Sequence, residues 1–400
     1  MRISTPMINQ LALNGIMNDE SALTSTEQQL SSGLSINSPA DNPVGEVELL
    51  QLTTTSSQYQ QYLSNGQSAS TNLNLEEQAL TSAGTTLQSI RSLVTEANNG
   101  ANSTSDLQAI ATQIQQLEQQ LLGTANSTNA TGQYLFSGYS VNAQPFVRGS
   151  SGAVSYVGDA GVSSVALDGD SSVQTGDAGS SVFMNVPTGN GTFTTAASAS
   201  NAGTGVIDAG SVTDRSAWTP DQYTITFTDA TDYQVTNSAG TVVSQGSYDP
   251  TNGASISFDG AEVGISGAPA AGDTFVVSPA ATNSVFDTLD SLVSNLQQAG
   301  NSSASRAQLS SSLATSLQQI DNAMSQISDV TTSVGTRISM IGSLNTSVTN
   351  QSTTVTTQIS NLDSLDYAAA TSQYSQQYLA LQAAEQSFAQ LGQLSLFKYL

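Results

Sequence analysis

Apolar residues return every seven positions along two long stretches of the chain, and this period is its strongest structural signal. In the first stretch Leu52, Tyr59, Gly66, Leu73, Leu80, Leu87 and Val94 form one row, with Tyr62, Ala69, Ala83, Ile90 and Ala97 beside it. In the second, Leu313, Ile320, Ile327, Val334, Ile341, Val348, Val355 and Leu362 form a row supported by Leu317, Met324, Ile338 and Ile359. Heptad spacing lines one face of a helix that winds along partner helices. At ~1.5 Å per residue the first stretch predicts a rod of roughly 75 Å. Each buried Leu or Ile stabilises such a seam by roughly 1.5–3 kcal/mol before ordering entropy is subtracted. The flanking positions are Ser, Thr, Gln and Asn rather than Glu and Lys, so helix propensity is modest and packing must hold the arms.

Shorter helical patterns complete both arms. Residues 7–34 carry Ile8, Leu11, Ile16, Leu23, Leu30 and Leu34, and the prolines of Asn37-Ser-Pro-Ala-Asp-Asn-Pro43 break the pattern. Leu107, Ile110, Ile114, Leu117 and Leu121 predict a helix antiparallel to the preceding one, after a turn at Asn98–Asn102. Phe286, Leu289, Val293 and Leu296 predict a short helix, turned at Ala299–Ser303. Finally, Tyr374, Leu381, Ala384, Phe388 and Leu391 continue at helical spacing towards Leu394, Leu396, Phe397, Tyr399 and Leu400. An apolar tail of this kind calls for a partner surface.

Between the arms the period shortens. Six of the nine prolines lie between Pro145 and Pro279, and none falls from Val44 to Gln144 or after Pro279. Residues 133–186 mix Phe and Tyr with Gly, Ser and Asp, as short strands and turns do. The polar window 187–200 reads as a linker or loop. Gln222–Thr228 alternates with period two, and Tyr233–Val235, Val242–Val243, Ile256–Phe258, Val263–Ile265 and Phe275–Val277 follow between turn residues. The fold class is therefore α+β: long α-helical coiled-coil arms from both termini around an inserted antiparallel β-rich domain.

Composition then narrows the function. The chain has 31 acidic and 7 basic residues, a formal net charge of −24, no Cys and no His. Nucleic acid and anionic membrane surfaces require basic patches, so neither is an expected partner. Without Cys or His there is no disulfide framework, no thiolate and no imidazole base or ligand. The expectation is a protein that is not an enzyme and needs no cofactor. Asp168-Gly-Asp170 lacks the spacing of a calcium loop and reads as a solvated turn. Asp229, Asp232 and Asp273 lie beside strand ends, where turn chemistry accounts for them. Trp218 reads as core rather than as part of a sugar-binding face. No apolar run reaches the ~20 residues of a membrane helix, and the first residues do not read as a secretory signal peptide.

Four segments carry a resemblance. Leu30–Gly45 resembles the N-terminal signature of bacterial flagellins and their relatives, with Gly33, Ile36, Asn37, Asp41 and Gly45 on its usual positions. It departs at Ser35, commonly basic, and at Asn42, often Asp. Gly132–Gly138 with Pro145-Phe146, Gly267–Phe275 and Leu391–Leu400 are similar to segments of the hook-associated branch of that family.

The resemblance implies a structural subunit at the junction between hook-associated protein 1 and the flagellin filament, forming a ring with copies of itself. It implies export to the extracellular flagellum by the type III route without signal cleavage, and a cytoplasmic chaperone covering the C-terminal helix. Residues 1–45 and 350–400 would form an inner assembly layer. Residues 46–140 and 283–349 would form a helical rod, and residues 141–282 an outward-facing insert. Its assembly interface would hold Leu23, Leu30, Gly33, Ile36, Asn37, Asp41, Leu381, Phe388, Leu391, Leu394, Leu396 and Phe397. The competing readings are a flagellin and a secreted adhesin acting through the β insert.

Overall fold

The structure, a computed structural model, describes residues 5–150 and 152–393. Six helices carry the heptad patterns: α1 (Thr5–Ser32), α2 (Pro43–Ala97), α3 (Thr104–Ala125), α4 (Val285–Gln297), α5 (Ser303–Asp363) and α6 (Tyr367–Gln393). Cap residues set several boundaries. Ser103 and Asp106 form a reciprocal capping box at the start of α3, and the Ser284 hydroxyl accepts the Phe286 amide at α4. Between α5 and α6 the Asp366 carboxylate accepts the amides of Ala368 and Ala369 at 3.0 and 3.1 Å. This break lies between the heptad row that ends at Leu362 and the row that begins at Tyr374.

The chain divides into two compact units, residues 1–64 with 343–400 and residues 65–342. In the first, α1 lies against α6. The inward row of α1 is Asn9, Ala12, Ile16, Asp19, Leu23, Thr26 and Leu30, and that of α6 is Ala370, Tyr374, Gln377, Leu381, Ala384 and Phe388. Ile8, Leu11 and Leu34, expected in the apolar stripe of the first helix, are instead exposed. The helix turns Asn9 and Ala12 inward because those positions continue the three-four spacing of Ile16, Leu23 and Leu30.

The second unit holds the deeper core. Leu73, Leu80, Leu87 and Val94 of α2 are buried, as are Leu313, Ile320, Ile327, Val334 and Ile341 of α5. In the first unit the same rows thin out. Val348 and Val355 stay buried, while Leu52, Tyr59 and Leu362 are only half-buried.

The insert within the second unit contains fifteen strands among the described residues, all paired antiparallel. Four short ones come first, β1 (Phe146–Arg148), β2 (Val154–Tyr156), β3 (Ser164–Ala166) and β4 (Ser172–Gln174), then a short π-helical turn (Ser180–Met184). The next are β5 (Val186–Pro187), β6 (Phe193–Ala197), β7 (Val206–Ile207), β8 (Ser211–Val212), β9 (Tyr223–Phe227) and β10 (Asp232–Thr236). The last five are β11 (Val242–Ser247), β12 (Ala254–Phe258), β13 (Ala261–Ser266), β14 (Thr274–Pro279) and β15 (Thr282–Asn283).

A five-stranded sheet has the order β11-β10-β9-β14-β6, and a second sheet the order β12-β13-β7 with β8 also on β13. Their inner faces share one core of Phe193, Tyr223, Ile225, Phe227, Ile256, Val263 and Phe275, with Trp218 packed at its side. Every second residue of β9 enters this core, as period two requires.

One expectation fails here. The window 187–200 is not a linker: β6 is the edge strand of the larger sheet, and Phe193 pairs with Pro279 in a fully buried position. Thr194–Ala197 carries too little apolar signal to be read as a strand, and burial against β14 decides it. The exposed side of this edge is covered by α5, where Thr315 donates to the Thr195 carbonyl at 3.3 Å.

Candidate assembly interface

The signature turn between α1 and α2 forms from local chemistry. Gly33 adopts φ +77°, which lets α1 end with the Gly33 amide donating to the Gln29 carbonyl at 2.8 Å. The chain then pairs with the α5–α6 break. The Ser35 amide donates to the Asp363 carbonyl, the Ile36 amide to the Asp363 carboxylate at 3.1 Å, and the Leu365 amide to the Gly33 carbonyl at 3.1 Å. Asp41 closes the loop by accepting the amides of Asn37 and Ser38 at 3.1 and 2.8 Å. Desolvation opposes ionisation of Asp41, but the hydrogen bonds from Ser38 and Asn37 outweigh it and hold the carboxyl below its usual range. Ile36 is buried, and a Cβ on Gly45 would meet the Ile36 Cδ1 at 2.7 Å. Glycine at 45 is thus what lets α2 start over Ile36.

These contacts change the role of several expected interface residues. Gly33, Ile36, Asn37 and Asp41 shape a turn inside the unit. Leu23, Leu30, Leu381 and Phe388 lie half-buried on the facing rows of α1 and α6. Leu391 belongs to α6, and Leu394, Leu396 and Phe397 lie outside the described residues. The structure therefore brings the described members together as an intramolecular frame. Thr26 adds a polar tie across it, donating to Gln377 at 2.8 Å.

A different set faces solvent. Met7, Leu11, Leu13 and Met17 of α1, Val44, Val47 and Leu50 of α2, and Tyr378 and Leu379 of α6 are large, apolar and exposed. Val44, at 79% exposed, begins a row with Val47 and Leu50 along the first turns of α2. The sequence reading missed this row because three apolar positions at spacing three look like part of the inward seam. No Arg or Lys falls in residues 5–64 or 343–393, whereas Glu20, Glu27, Glu46, Glu48 and Glu385 do. Among the described residues the charged groups of this unit are thus all carboxylates. Exposed apolar rows of this extent mark interaction surfaces.

The insert offers no comparable chemistry. Asp168 accepts the amides of Asp170 and Ser171, and Asp229 those of Thr231 and Asp232, so both close turns. Asp273 is buried and accepts the amides of Ala202, Gly203 and Ala270 at 2.8 to 3.0 Å. Trp218 stacks near Phe193 and Tyr223, with ring centroids 5.3 and 5.8 Å away. Among the described residues no acidic group is arranged to hold a metal, and no helix is long and apolar enough to cross a membrane.

Known proteins place this architecture. The bacterial flagellin N-terminal helical region matches residues 3–141, and the C-terminal helical region matches residues 317–400. Residues 196–279 match the D2-like domain of flagellar hook-associated protein 1. The crystal structure of Xanthomonas campestris FlgL superposes with TM-score 0.72 at 32% identity, over 78% of this chain and 99% of that one. Flagellar hook-associated protein 3 from Legionella pneumophila superposes with TM-score 0.74 at 30% identity, over 78% and 98%. Flagellar hook-associated protein 3 of Salmonella typhimurium is 32% identical over 152 residues, 38% of this chain and 48% of that protein. The chain thus spans about half the length of that relative. A flagellin of Salmonella dublin matches over a shorter 130 residues, 26% of its length.

Two flagellin-type helical regions around a β insert define a flagellin-like protein of the bacterial flagellum. Within that class, the chain belongs to the flagellar hook-associated protein 3 family.

Proposed function

We propose that the protein is a non-catalytic structural subunit of the bacterial flagellum, seated between hook-associated protein 1 and the flagellin filament. The observation that carries this reading is the unit of α1, α6 and the first turns of α2. Its inward rows are half-buried and partly polar, while large apolar side chains face outward. Such a unit gains most of its stability when partner helices cover the outer rows. Copies of the same chain around a ring supply that cover laterally, and hook-associated protein 1 and flagellin supply it above and below. Because this unit carries carboxylates and no described cation, subunits pack best when salt screens them.

The export route, without signal cleavage, and a cytoplasmic chaperone on the C-terminal helix belong to the same reading. A covered α6 stays unassembled until the subunit reaches its place outside the cell.

Deleting the gene tests the proposal. The expected result is intact hooks without filaments, with monomeric flagellin released into the medium, seen by electron microscopy and blotting. Filaments growing on hooks of the deletion strain would overturn the junction role and favour a filament subunit.

A further inference from the structure

Glu76 sits where an apolar side chain belongs. It occupies the row of α2 that otherwise holds Ala69, Ala83 and Ile90, and it is 1% exposed. The loop 175–179 provides for it. The Asp177 amide donates to Glu76 Oε1 at 3.0 Å. From the other side Arg337 of α5 donates to the Asp177 carboxylate and, at 3.4 Å, to the Gly176 carbonyl. The loop is thereby held by one side chain from each long helix.

The charge count of this cluster is odd. The charged groups acting on Glu76 are Asp177 from the loop and Arg337 from α5, while Glu77 follows it on α2. The segment 133–141 walls the adjoining cavity of about 380 Å³ and brings the phenols of Tyr134 and Tyr139. With one guanidinium against two carboxyls, a proton on Glu76 brings the three groups to balance. A protonated Glu76 can also donate a hydrogen bond to the Asp177 carboxylate, whereas an ionised Glu76 repels it.

We propose that Glu76, Asp177 and Arg337 form a latch that seats the 175–179 loop between α2 and α5 while the Glu76 carboxyl holds its proton, and frees the loop when that proton leaves. The direction follows from the surroundings. Burial first, and then the charge of Asp177, push the Glu76 carboxyl up to about 8, against the lowering effects of Arg337 and of the Asp177 amide. A carboxyl raised in the seated state contributes fully below its unseated value of about 4.5 and loses that contribution as pH rises through about 8. The loop is therefore seated in acid and neutral solution and released in mild alkali.

The chain contains no Cys, so Gln174→Cys in the full-length protein gives a single attachment point beside the loop for a pH-insensitive, polarity-sensitive dye. In this labelled parent the emission should shift with a midpoint near pH 8 while circular dichroism stays constant. Adding Glu76→Gln, which keeps a neutral hydrogen-bonding group, should flatten the profile between pH 6 and 9.5. Adding Asp177→Asn instead removes the repelling charge and should move the midpoint towards acid, which a merely structural role would not do. A flat parent profile, an unchanged midpoint in both variants, or loss of helicity at the same midpoint would each overturn the latch. If Glu76→Gln does not fold, the Asp177→Asn midpoint decides alone.

Discussion

The terminal unit and the middle unit are built on the same heptad pattern, yet they bury it to different depths. In the middle unit the rows of α2 and α5 are closed off from solvent, and Phe136, Phe146, Phe183 and Phe286 add an aromatic cluster with centroids 5.4 to 6.3 Å apart. Arg148 of β1 is drawn in by Glu118 of α3 and, at 3.5 Å, by Asp290 of α4. In the terminal unit the facing rows include Asn9, Asp19, Thr26 and Gln377, and several large apolar side chains point away. Heptad spacing alone does not say whether a helix pair is self-sufficient. The middle unit completes its own core, whereas the terminal unit leaves large apolar side chains exposed.

That contrast can be broken by mutation. The largest effect is expected at the centre of the β core. Phe275→Ala removes a ring packed edge-on against Phe227 at 5.9 Å, and it should cost the middle unit about 3–5 kcal/mol by denaturant unfolding. Exchange rates in α1 and α6 should stay as in the parent. A loss shared equally by both units would mean that they unfold as one.

Asp363→Ala tests the terminal unit in the same way, with a smaller effect. It strips the acceptor from the buried Ile36 amide, at a local cost of about 1–3 kcal/mol. Hydrogen exchange should accelerate in residues 33–45 and the facing helix ends, with the middle unit's denaturant midpoint unmoved. A shifted midpoint would contradict the independence drawn from the two cores.

The smallest effect belongs to Arg91→Met. Its partner Asp321 lies 2.6 Å away, but both side chains are about two-fifths exposed. Exposed pairs gain little over their hydration, so the unfolding midpoint should match the parent within error. A clear loss would show that this pair, and not the apolar seam, sets the alignment of α2 and α5.

Much of this division was legible in the chain. Seven of the eight heptad positions from Leu313 to Val355 and Leu362 were read as seam and are buried, the exception being Leu362. The strands from Tyr223 to Val277 followed from alternation. Two elements were not legible. The strand β6 carries Thr and Ala in a Gly- and Ser-rich window, so only its place beside β14 makes it a strand. The break at Ser364–Asp366 falls between the row ending at Leu362 and the row from Tyr374, but its role as the partner of Gly33 and Ile36 appears only once both ends of the chain meet.

The interface residues divide in the same manner. Periodicity picked out Leu23, Leu30, Leu381 and Phe388 as important positions, but it carries no sign that says inward or outward. The row Val44, Val47 and Leu50 is as apolar as the inward rows and lies exposed. Glu76 is the converse case. Read along the chain it is a gap in an apolar row, and nothing local distinguishes it from a solvated residue. Its partners Asp177 and Arg337 lie 101 and 261 positions away in sequence.

By itself the sequence determined the helical arms, the β-rich insert and the absence of Cys and His chemistry, because period and composition are local properties of the chain. Only the tertiary structure decided which apolar faces are spent within the molecule and which stay exposed. That depends on which residues far apart in the chain come to lie side by side.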